Sequence, residues 1–60
     1  MELKMIEELQ KTVNWIREQN EGPAHDFLED AQEQFQYYKR FIEAVTNKTV
    51  EVNNWIVTLK

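Results

Sequence analysis

Apolar residues recur at Ile6, Leu9, Val13 and Ile16, a spacing of three, four and three that a helix gathers into one buried seam. Leu3 and Met5 flank the start of that seam, and the pattern predicts a first helix over about residues 2–20. Trp15 falls off it: at about 100° per residue it lies well around the helix from its apolar neighbours. A longer seam follows at Ala24, Leu28, Ala31, Phe35, Tyr38, Ile42 and Val45, alternating four and three without a break. It predicts a second helix over about residues 23–46, with Phe27 and Phe41 widening the stripe and Tyr37 lying off it. Between the seams stands Asn20-Glu21-Gly22-Pro23. Gly22 suits the left-handed conformation that ends a helix. Pro23 cannot continue the first helix but suits the first turn of the next. A short link between two amphipathic helices gives an antiparallel helical hairpin.

The last segment, residues 47–60, supports two patterns. As helix, Thr49, Val52, Ile56 and Leu59 continue the second seam in phase. As strands, residues 49–52 and 55–59 flank Asn53-Asn54, with Val52 facing Trp55 and Val50 facing Val57. Val50, Val52, Trp55, Val57 and Leu59 then share one face. Propensity separates the two. Residues 46–60 hold seven β-branched side chains and a tryptophan, which favour a pleated surface. Asparagine tolerates the positive φ of a two-residue turn. The expectation is a single α+β domain spanning residues 1–60, a helical hairpin followed by a short C-terminal β-hairpin. The alternative is an all-α chain of two long helices or a three-helix bundle.

Size changes how that pattern is read. A chain of 60 residues buries only about 60% of the surface its unfolded form exposes. With no cysteine and one histidine, disulfides and a usual zinc set are excluded, which leaves tight packing or a partner subunit for extra stability. The expectation is a homo-oligomer, most simply a dimer, built edge to edge through Val50, Val52, Trp55, Val57 and Leu59 or by pairing helical hairpins into a four-helix bundle.

Charge narrows the partners. Eleven acids against seven bases give a net charge of −4, which opposes direct binding to a phosphate backbone. No apolar run approaches the roughly 20 residues of a membrane span. The first residues lack a charged-then-apolar leader layout, so a cytoplasmic setting is expected. Between residues 18 and 38 there are six acids and no lysine or arginine. Four of them, Asp26, Glu29, Asp30 and Glu33, fall away from the second seam. They read as a solvated face, as a handle for a basic protein, or as a mimic of nucleic-acid charge.

Candidate chemistry is sparse. Serine and cysteine are absent, which removes the usual nucleophiles, and a single glycine excludes a Gly-rich phosphate loop. His25 and Glu29 share a helix face, but two exposed ligands at a helix start do not make a metal site. The expectation is no enzyme, no metal and no cofactor. Trp15, Tyr37 and Phe41, together with the four acids, are the expected contacts to a larger protein, because aromatic side chains bury much area with few rotatable bonds. In class, a short, acidic chain without cysteine and poor in glycine resembles the small inhibitors that viruses of bacteria encode against host or defence proteins. The resemblance is one of size and charge, and it implies an inhibitor or regulator that works by binding. A module for self-association alone is the other option.

Overall fold

In the computed structural model, which describes residues 2–22 and 26–60, two helices are followed by two antiparallel strands. These are α1 (Glu2–Glu21), α2 (Leu28–Thr46), β1 (Val50–Asn53) and β2 (Ile56–Leu59). The α+β expectation holds. A third helix is stopped at Asn47, which takes a left-handed φ of 58° while its N–H closes on the Glu43 carbonyl at 3.0 Å. Asparagine is one of the few residues that adopts that conformation readily.

The link between the helices departs from expectation. Pro23, Ala24 and His25 lie outside the described residues. α2 begins only at Leu28, so Asp26 and Phe27 belong to a turn before it rather than to the helix. Phe27 holds that turn in place: its N–H donates to the Gln19 side chain at 3.3 Å, and its carbonyl accepts from the Ala31 N–H at 2.9 Å. Gly22 is not in the left-handed region. Its N–H donates to the Glu18 carbonyl at 2.8 Å, and a Cβ there would lie 2.8 Å from the same oxygen. Glycine serves close approach at this point, not an unusual φ.

The core lies where one side of the helix pair meets the hairpin. Leu9 and Val13 of α1, Ile42 of α2, Val50 of β1 and Val57 of β2 are buried together. Met5, Ile6, Phe35, Tyr38, Trp55 and Leu59 pack around them. β2 lies against α1 and β1 against α2. Thr12 is buried as well, with its hydroxyl donating to the Glu8 carbonyl.

The hairpin register corrects the expected one. Val50 pairs with Leu59 and Val52 with Val57, and the turn is Asn54-Trp55 rather than Asn53-Asn54. Both turn residues have positive φ, 53° and 66°, as the tight turn that matches strand twist requires. Either register keeps Val50, Val52, Val57 and Leu59 on one face, so alternation cannot choose between them. Contacts to α1 do. Gln10 donates to the Trp55 carbonyl at 2.7 Å and accepts from the Val57 N–H at 2.9 Å. The Arg17 guanidinium lies 5.9 Å from the centre of the Trp55 ring. Gln10 and Arg17 are seven residues apart and so share a helix face. A left-handed φ at a non-glycine residue costs about 1–2 kcal/mol, and these contacts offset it.

The same side chains close the sheet edges. Thr49 and Lys60 exchange both backbone bonds, which makes Val50–Leu59 and Val52–Val57 the pairs whose N–H and C=O groups point outward. On the β2 edge, Gln10 takes the Val57 N–H. On the β1 edge, a Glu43 carboxylate oxygen takes the Val50 N–H at 2.9 Å. One helix side chain thus covers part of each edge, a way of blunting strand-to-strand association.

Three substitutions separate core burial from edge closure. Leu9→Ala should lose about 2–5 kcal/mol, enough to leave a domain this small largely unfolded. Gln10→Ala should cost about 1–3 kcal/mol. Gln10→Glu keeps an acceptor for Val57 but loses the donor to Trp55, so its cost should be of the same order. Urea denaturation followed by circular dichroism measures all three, and a Gln10→Ala midpoint equal to wild type would show that the clamp is not structural.

Candidate docking face

The helix pair has two sides, and the hairpin takes one. Gln10 and Arg17 of α1 and Glu43 of α2 point at the hairpin. Lys4, Glu8 and Trp15 lie roughly opposite Gln10 and Arg17 around α1, at about 100° per residue. On that far side, Lys4, Met5 and Glu8 of α1 and Tyr38, Phe41 and Ile42 of α2 line a groove of about 250 Å³. Its floor is apolar, with Lys4 and Glu8 along the α1 rim.

Large apolar side chains stay exposed around the groove. Tyr37 is 72% exposed, Phe41 52% and Val45 52%, and the three recur every four residues along α2. Val45, expected in the seam, is therefore outside the core. Tyr37 stacks edge-on against Tyr38, with ring centres 6.1 Å apart. At the turn end of the helix pair, half-buried Trp15 packs on exposed Phe27 with ring centres 6.4 Å apart. Phe27 thus explains why Trp15 falls off its seam: the ring packs on the turn that leads into α2.

The other predicted contacts fall in different places. Asp26, Glu29, Asp30 and Glu33 are exposed and form no ion pair among the described residues. Most cations have local partners: Lys11–Glu8, Arg17–Glu21, Lys39–Glu43, Lys48–Glu2 and Lys60–Glu51. Among the described residues Lys4 and Arg40 have none, and both stand at the groove end of the helix pair. Of the residues expected to meet a second copy, Val50 and Val57 are buried inside one chain, and Trp55 and Leu59 are half-buried against the same core. Only Val52 of that set is exposed, at 38%. The apolar surface expected at the hairpin is mostly consumed within the subunit, while the helix side keeps more of it than the seams suggest. Leu3, Phe27 and Val45 joined the exposed set without a sequence signal, since each lies in or beside a seam.

No helix among the described residues is long and apolar enough to cross a membrane. The surface the hairpin leaves open therefore joins the apolar groove to the outer face of α2, where Glu29, Glu33, Tyr37, Arg40 and Phe41 lie together. Such a surface can bind a protein chain; exposed apolar patches of this kind mark interaction sites.

Exposure at Tyr37 has a direct consequence for stability. In dilute solution Tyr37→Ser should change folding free energy by no more than about 0.5 kcal/mol, because the side chain contributes little to the core. A much larger drop in the urea midpoint would place Tyr37 inside the fold.

No protein-family model matches the chain, and comparison with curated proteins and with solved structures found no match.

Proposed function

We propose that this chain is a non-enzymatic protein-binding protein, a small regulator or inhibitor that occupies another protein's surface with the far side of its helix pair. One observation carries the proposal: the hairpin covers a single side of α1 and α2, and the opposite side keeps Tyr37, Phe41 and the groove between Met5 and Tyr38 in solvent. Aromatic anchors beside a groove are the usual centre of binding energy at protein interfaces. The unpaired acids at one end supply orientation, since charge sets encounter and register more than affinity. Trp15 and Phe27 form the rim at the link.

An immobilised chain should retain a stoichiometric protein partner from a host lysate. Trp15→Ala combined with Tyr37→Ala should reduce retention at least tenfold, about 1.4 kcal/mol. Neutralising Asp26, Glu29, Asp30 and Glu33 together should slow association and flatten its salt dependence. Retention unchanged in the aromatic double variant would remove the helix face as the binding surface.

A further inference from the structure

We infer that one occupant of the open surface is a second copy of this chain, docked along the outer face of α2 with its own α2 antiparallel to the first. The inference rests on the docking-face reading above and names a partner for it. Its basis is the distribution of charge along α2. The first half of the helix and its leading turn carry Asp26, Glu29, Asp30 and Glu33, which have no ion-pair partner among the described residues. The second half presents Tyr37, Arg40 and Phe41, and Arg40 has no ion-pair partner among the described residues. Asp30, Glu33, Tyr37, Arg40 and Ala44 recur at three and four along one stripe, the period at which helices pair side by side.

Such a stripe is complementary to itself in one direction only. Two parallel copies would set acid on acid, at close range and in a chain already at −4. Turned end for end, the acidic half of each α2 meets the Arg40 half of the other. Tyr37 then lies near the two-fold axis, and Arg40 of each copy faces Asp30 and Glu33 of the second. This is the isologous contact of a two-fold dimer, made twice.

Edges agree with this placement, and area sets its strength. The molecule measures 37 × 19 × 16 Å, so a whole long side projects to roughly 600–700 Å² and the α2 stripe to less, below the ~800 Å² per partner of a stable interface, which makes the pairing a concentration-dependent one. The hairpin is the poorer choice. Val50 and Val57 are buried, and Gln10 and Glu43 occupy a backbone N–H on each edge. Pairing through α2 covers Tyr37 and Phe41, so a second copy and a larger protein compete for this face.

Sedimentation equilibrium over a wide concentration range tests the inference. Wild type should pass from the 7.3 kDa chain mass to twice that value. Phe41→Glu should remain single. Arg40→Glu and Glu33→Arg should each weaken the dimer at least tenfold, since each sets like charges together twice. The two substitutions combined in one chain should restore it. Mixing the Arg40→Glu chain with the Glu33→Arg chain should give a mixed dimer that neither forms alone. Two results overturn the inference and tell it apart from the reading beneath it. A single mass at every concentration, with a hydrophobic dye that binds wild type but not Phe41→Glu, refutes the second copy and leaves the face to another protein. A dimer indifferent to Phe41→Glu and to charge reversal refutes both, because self-association then uses a different surface.

Discussion

A two-stranded sheet persists in water only when something covers it, and here that cover is one side of a helix pair. Val50 and Val57 enter between Leu9, Val13 and Ile42, each strand giving one valine to the shared core. Gln10 then fixes the register by gripping both the Trp55 carbonyl and the Val57 N–H. Everything else about the molecule depends on this arrangement. With one sheet of four-residue strands available, only one of the two long sides of α1 and α2 can be buried. The other is left with its aromatic side chains in solvent, and that surplus is the origin of the proposed function.

The constraint also explains the unusual turn. A tryptophan at φ 66° is a poor local choice, and Asn-Gly would be the better sequence for such a turn. Local preference is overridden because the Trp55 ring packs on the core and meets the Arg17 guanidinium. Strain in the turn and burial of its side chain are two aspects of one contact with α1. Edge closure follows from the same geometry: the side chains that point from the helices to the hairpin are those that reach its outward N–H groups.

Much of this was legible in the sequence. The seams through Leu9 and Val13 and through Ala31 and Ile42 put the right residues inside, because helical periodicity records burial directly. The β-branched cluster after Thr46 identified the hairpin against an equally complete heptad. Three things were not legible. The turn position was hidden because both registers keep the same four residues on one face, and the deciding contacts come from Gln10, more than 40 positions away. The start of α2 was hidden because the seam steps from Ala24 to Leu28 without a break, past Asp26 and Phe27. The side that stays open was hidden because periodicity tells how apolar a helix face is, not which neighbour reaches it. That last gap is why Val50 and Val57, expected to meet a second copy, lie in the core, and why Arg40 joined the already expected Tyr37 and Phe41 in the candidate surface.

The central claim is that the hairpin covers one side of the helix pair and no more. Relaxation of side-chain protons by a soluble paramagnetic probe, read by NMR at low concentration, measures this residue by residue. Strong relaxation at Tyr37, Phe41 and Val45, with Val50, Val57 and Leu9 protected, is the predicted result. Protection of Tyr37 and Phe41 equal to that of Leu9 in a single chain would contradict it.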